Sequence, residues 1–229
     1  MWSRLSCGFA LCVLSVISGC SPIPTDPDAA GSSGFSELSY FNESWGFQIS
    51  RPNDLWGITV QTFELDRDTN GLPFVDVRIA SPVSALVGGF RPQMWLFPRA
   101  LPEGTTLDEL AQSYEEQDLI PQFDRYRVVG DKVRVQLDGG EAIQWQFRYS
   151  QLEASNRFYP GSRFIVAVAV HNQVGYFMIG NGGQDAGYPL EEYQQIVSSL
   201  RWFRPHLAMV SFVQFSNFSD RFYHDIHLN

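Results

Sequence analysis

Two apolar runs separated by three residues set the strongest limit on how this chain folds. Phe164 to Val170 and Val174 to Ile179 are nearly continuous hydrophobic segments joined by His171-Asn172-Gln173. Short apolar runs flanking a turn read as strands, and strands that lack a polar face need cover on both sides. A second hairpin precedes them. Val133, Val135 and Leu137 alternate with Lys132, Arg134 and Gln136, Asp138-Gly139 turns, and Ile143, Trp145, Phe147 and Tyr149 alternate with Gln144, Gln146 and Arg148. Period-two alternation of this kind gives one wet and one packed face. Further upstream Trp45, Phe47 and Ile49 alternate up to Pro52, Ile58 and Val60 continue the pattern, and Val75, Val77 and Ile79 repeat it after Asn70-Gly71, a dipeptide that tolerates the positive φ of a tight hairpin.

Two segments supply the cover. Leu107, Leu110, Ala111 and Tyr114 fall on one helical face, with Thr105 or Thr106 available as cap and Asp108 and Glu109 in the positive first turn. In the second, Pro189 fits the first helical position, Glu191 and Glu192 follow, and Leu190, Tyr193, Val197 and Leu200 make the stripe. The expected fold class is α+β, an antiparallel sheet covered by helices on both faces, in three layers.

Charge narrows the function. The chain carries 25 acidic residues against 16 Lys+Arg, for a formal net charge of −9, and Lys132 is its one lysine. Affinity for phosphates rests on clustered Lys and Arg, so nucleic acid is not an expected partner. Hydrophobic residues make up 44% of the sequence, enough for one buried core but not for several membrane spans.

The first twenty residues form a unit of their own. Arg4 is followed by the apolar run Phe9 to Ile17 and the small residues Ser18-Gly19 before Cys20. A run this short does not cross about 30 Å of hydrocarbon as a mature helix but suits the central region of an export signal. Ile17-Ser18-Gly19-Cys20 resembles the lipobox of bacterial lipoproteins, which implies cleavage before Cys20 and acyl chains, palmitate among them, on that residue. A plain secretory signal with an incidental cysteine is the other reading. Cys7, Cys12 and Cys20 are all the cysteines of the chain, so residues 1–19 as signal would leave one thiol, blocked by lipid, and no disulfide, thiolate metal site or cysteine nucleophile. Loss of Arg4 makes the remainder still more acidic. Such a body is repelled by anionic head groups, and membrane attachment would come from the acyl chains. Ser21 follows Cys20 where the family places Asp for inner-membrane retention, which implies the periplasmic face of the outer membrane in a Gram-negative cell. Residues 20–39, with Pro22, Pro24, Pro27, Gly31 and Gly34, read as the lipidated cysteine and a flexible tether.

The stretch Trp45-Gly46-Phe47-Gln48-Ile49-Ser50-Arg51-Pro52, followed by Trp56, further strands, a helix, a long meander and a last helix ending near Leu200-Arg201-Trp202, resembles the Mog1/PsbP-like α/β/α sandwich over residues 40–203. The resemblance implies a mostly non-catalytic superfamily that includes extrinsic photosystem II subunits, a small-GTPase-binding protein and bacterial lipoproteins. It carries no site residue to this chain. The expected role is that of a lipid-anchored, non-catalytic accessory or assembly factor with a protein partner in the cell envelope. The alternative is an envelope module that binds a ligand or calcium.

Three motifs invite chemistry. Asp66-Arg67-Asp68-Thr69-Asn70-Gly71 matches the first half of an EF-hand loop, and Asp66, Asp68 and Asn70 are the candidate calcium ligands. The twelfth position would be Val77 instead of Glu, and Pro73 stands just after the bend, so a polar hairpin turn is the competing reading. Gly180-Asn181-Gly182-Gly183 lies between strand and helix but lacks the Gly-Lys-Ser/Thr ending of a phosphate loop, and Asp185, Glu191 and Glu192 oppose phosphate. No G-x-S-x-G or H-E-x-x-H occurs, and no enzyme activity is expected; His171 reads as a solvated turn residue and His224 and His227 as part of a frayed end. Residues 204–229 are too apolar for a disordered end. Phe212, Phe215, Phe218 and Phe222 have helical spacing and either dock back on the domain or form a partner-binding patch. Asn42-Glu43-Ser44 and Asn217-Phe218-Ser219 match a glycosylation sequon and read as chance.

Overall fold

The computed structural model describes residues 33–68, 71–82, 91–149, 162–181 and 189–203. Among them a small sheet holds β1 (Ser33–Phe35), β2 (Ser39–Asn42), β3 (Phe47–Ser50) and β11 (Arg201–Trp202), in that order. A seven-stranded sheet holds β4 (Gly57–Arg67), β5 (Pro73–Ala80), β6 (Gln93–Ala100), β7 (Arg127–Leu137), β8 (Gly140–Tyr149), β9 (Ser162–His171) and β10 (Val174–Asn181), ordered β4-β5-β6-β10-β9-β8-β7. The strand pairs within both sheets are antiparallel. Two helical segments accompany them. One is α1 (Leu107–Ser113), continued by a π-helical turn (Tyr114–Leu119) and α2 (Ile120–Gln122), and the other is α3 (Leu190–Ser198).

The two apolar runs become β9 and β10 at the centre of the large sheet. Pleating sends Ala167 and Ala169 to one face and Val166 and Val168 to the other, and all four are fully buried. Asn172 and Gln173 turn the chain between them with φ of 49° and 61°, the left-handed pair a two-residue hairpin needs. On the alanine side the sheet meets Tyr193, Ile196 and Val197 of α3 together with Phe47 and Ile49 of β3 and Trp45 of the turn before it. On the valine side it meets Leu110, Ala111, Tyr114 and Leu119. The fold is thus sheet-rich and mainly antiparallel. Its alanine face is shared between α3 and the small sheet instead of being covered by a helix alone, because β3 and the turn before it bring three large apolar side chains that α3 has too little length to replace.

Other expectations are adjusted locally. The small sheet starts at Ser33, inside the stretch expected to be tether; the Phe35 ring packs 5.3 Å from Tyr40. Val133, expected on a packed face, is 47% exposed, since β7 is an edge strand and its pairing with β8 shifts register between Val129 and Val133. Pro189 caps α3 from outside instead of opening it, and Ile196 joins the buried stripe.

Candidate functional site

Several of the residues singled out by sequence lie outside the described residues: Cys20, Asn70, Gly182, Gly183, His224, His227 and the phenylalanines Phe212, Phe215, Phe218 and Phe222. The structure places the others. Asp66 is exposed near the end of β4, while Asp68 accepts the Ala100 amide on its Oδ2 at 2.9 Å. The Asp68 amide donates to the Leu72 carbonyl and the Gly71 amide to the Asp68 carbonyl, both at 2.8 Å. One carboxylate oxygen of this turn is therefore engaged in holding the end of β6. Among the described residues no group of three or more His, Cys, Asp or Glu side chains gathers as a metal site. Gly180 and Asn181 finish β10 as strand residues. His171 is the last residue of β9, and its ring stacks on Trp202 at 4.9 Å and 8°. Burial lowers its pKa, so it is a packed strand residue and not the solvated turn residue expected. Asn42 of the first sequon is buried, donating to the Tyr40 hydroxyl and accepting from the Trp45 amide at 3.0 Å each.

The densest polar chemistry sits where the π-helical turn crosses the valine face. Along α1 the apolar stripe runs Leu110 to Tyr114, a step of four, then five to Leu119 and four to Phe123. A five-residue step keeps its phase only if the helix widens, and Tyr114–Leu119 is a π-helix. The wide turn aims Glu115 at the sheet. Its Oε1 accepts from the Tyr126 hydroxyl at 2.8 Å, and that hydroxyl accepts from the Trp145 indole N–H at 2.8 Å. The Glu115 Oε2 pairs with Lys132, whose ammonium stands 4.9 Å from the centre of the Trp145 ring. Arg134 adds ion pairs to Asp108 at 2.6 Å and Glu141 at 2.8 Å. The wet face of β7 thus clamps the helical segment. Burial, and then the hydrogen bond to the Glu115 carboxylate, hold the Tyr126 hydroxyl well above its ordinary pKa.

Sequence reasoning overlooked this cluster. Its signals were the broken stripe and the position of the one lysine opposite a run of acids. Glu115 and Lys132 neutralise each other, and Glu115 already has two partners.

Asp118 lies on the same turn. Burial pushes its carboxyl up to about 6. An acid whose folded pKa exceeds its unfolded value of about 3.9 binds a proton more tightly in the native state. Its contribution to stability is therefore full at low pH and is lost as pH rises from about 4 through about 6. Asp118→Asn, uncharged throughout, is expected to exceed the wild type in stability near neutral pH by at most about 1 kcal/mol, since the group keeps part of its hydration. The two proteins should converge below about pH 4. Urea unfolding at both pH values measures the difference, and an Asn variant weaker at neutral pH contradicts the assignment.

The structure is similar to the solution structure of cyanobacterial PsbP (CyanoP) from Synechocystis sp. PCC 6803, with 13% sequence identity, a TM-score of 0.48, and coverage of 74% of this chain and 95% of that one. No protein-family model matches the sequence, and no curated protein matches it.

Proposed function

We propose that the protein is a lipid-anchored, non-catalytic accessory or assembly factor of a membrane-associated complex in a bacterial envelope, with a Mog1/PsbP-like α/β/α domain as its working part. The observation that carries this reading is the placement of every cysteine within the first twenty residues, the last of them directly after Ile17-Ser18-Gly19. None of the described helices is long and apolar enough to cross a bilayer. With β1 starting at Ser33, about a dozen residues separate Cys20 from the folded part, roughly 20 Å as a flexible coil. That reach holds an acidic domain near a bilayer while leaving its faces open to a neighbouring protein. On this reading the turn at Asp66–Gly71 is structural, and Asp68 serves the end of β6 in place of calcium.

The test has two arms. Cys20→Ser is expected to abolish incorporation of labelled palmitate and to release the protein from the membrane fraction. A serine variant that still sediments with envelopes removes the anchor. Purification of the acylated wild type with its membrane neighbours should recover stoichiometric subunits. A lone protein carrying a small ligand in their place points to the ligand-binding alternative.

A further inference from the structure

The small sheet carries two exposed leucines on neighbouring turns. The Ser36 amide donates to the Ser39 carbonyl at 2.8 Å and closes the hairpin between β1 and β2, which puts Glu37 and Leu38 at its tip. Leu55 stands in the turn between β3 and β4, its amide donating to the Asn53 Oδ1 at 3.0 Å. Arg51 fastens the two turns together. Its Nη2 donates to the Glu37 carbonyl at 2.8 Å, its Nη1 donates to the Asp54 carbonyl at 3.1 Å and the Trp56 carbonyl at 2.6 Å, and its amide donates to the Leu38 carbonyl at 2.9 Å. The Glu37 and Asp54 carbonyls directly precede Leu38 and Leu55 in the chain, so one guanidinium holds the two leucine-bearing turns as neighbours. Leu55 is 69% exposed and Leu38 41%, and Phe35, just before the first turn, is exposed as well. Single apolar residues on a surface are ordinary, whereas a group of them marks a contact.

We infer that these turns seat Leu38 and Leu55 in the head-group layer of the bilayer that receives the acyl chains. The contact depends on the anchor at Cys20 proposed for this chain. Where the tether enters the fold decides the occupant. Ser33 opens β1, so the hairpin tip follows directly on a tether of roughly 20 Å, and this corner meets the lipid before the large sheet can. A tether that short keeps the turns at about millimolar effective concentration over the surface, enough for two side chains that would not hold a free domain. Both leucines stand on turns already fixed by Arg51, which limits the ordering cost of contact. Exposed Glu37 and Asp54 flank them in a chain of net charge −9, so the fitting surface is zwitterionic and an anionic one is repelled.

The test uses the processed, acylated chain in vesicles of phosphatidylethanolamine and phosphatidylcholine. With the Cys20 thiol taken up by lipid, Glu37→Cys accepts a fluorophore at a single position, and nitroxide-bearing lipid is expected to quench it far more than the same label at Val133→Cys on β7. Leu38→Asp with Leu55→Asp changes two exposed side chains and should leave the fold intact. It is expected to shift the ratio of seated to free turns at least about tenfold toward free, so that quenching at Glu37 falls to the Val133 level while the protein still floats with the vesicles. Equal quenching at Glu37 and Val133 in a chain that floats overturns the inference and leaves the anchor standing. Quenching that survives the double substitution overturns it too, as does a Glu37 label already shielded without vesicles, which assigns the turns to another part of the chain such as residues 204–229. A chain that does not float removes the anchor and the contact with it.

Discussion

Replacing Phe147 with alanine is expected to lower the stability of the domain by about 3–5 kcal/mol, roughly 10 °C in Tm for a domain of this size. Phe147 is fully buried on β8. Its ring stacks on Phe164 at 5.1 Å and lies 5.0 Å from Phe123 and 4.6 Å from Tyr126. Those neighbours belong to different parts of the valine face: Phe164 to the adjacent strand, Phe123 to the residue that ends α2, and Tyr126 to the hydrogen-bond chain through Glu115 and Lys132. The side chain therefore fills a space whose walls are held by both sheet and helical segment, and a wall held on two sides collapses poorly after truncation. The cavity adds its cost to the lost transfer energy. Hydrogen exchange should also quicken through Leu107–Gln122, because the segment loses the surface its end rests on. Val133→Ala is the control. It removes methyl groups from a side chain 47% exposed and should change stability by no more than about 0.5 kcal/mol. A Phe147→Ala loss as small as the control's would show that the helical segment is not supported by the aromatic cluster.

How much of this was readable depended on whether periodicity or pairing carried the information. Residues 164–179 announced two central strands because a buried strand has no polar face to interrupt it, and they are the strands at the centre of the sheet. The stripe at Leu107, Leu110, Ala111 and Tyr114 gave α1 and one of its two candidate caps; Thr106 accepts the Glu109 amide while the Glu109 carboxylate accepts the Thr106 amide. Pairing was less legible. Val133 belongs to an alternating run, and alternation does not say that a glycine-bearing bulge interrupts the ladder or that the strand lies at an edge. The small sheet was hidden in part because Ser33–Phe35 lies in a Pro- and Gly-rich stretch. What orders it is Tyr40, which no local pattern connects to Phe35.

The candidate site divides in the same way. Asp66, Asp68 and Asn70 were found through spacing, and spacing is blind to the Ala100 amide thirty-two residues away that takes up Asp68. The cluster of Glu115, Tyr126, Lys132 and Trp145 has no linear motif at all, being assembled from a helix, a connection and two strands. Only the five-residue step from Tyr114 to Leu119 hinted at it. A helix that lengthens its stripe by one residue turns a new side chain inward, and here that side chain is a glutamate.

Trp45→Ala is expected to cost about 3–5 kcal/mol and to act on the joint between the two sheets. Trp45 is fully buried. Its indole N–H donates to the Pro73 carbonyl at 3.1 Å, at the start of β5, and its own carbonyl accepts the Tyr176 hydroxyl at 2.7 Å. The next residue, Gly46, turns at φ 70° and accepts the Phe203 amide at 2.8 Å, tying in the strand that follows α3. Truncation empties the space between the sheets and leaves the Pro73 carbonyl without its donor, so packing and hydrogen bonding fail together. Trp45→Phe separates the two, since it retains most of the ring volume without the N–H and should lose about 1–3 kcal/mol. Trp45 lies in the turn between β2 and β3 and packs in the core that the small sheet shares with the large one. Exchange in β1, β2, β3 and β11 should therefore rise more in the alanine variant than exchange at the centre of the large sheet. Equal increases in both sheets, or a loss below about 1 kcal/mol, would place the connection elsewhere, with Tyr176 and Phe47 as the next contacts to remove.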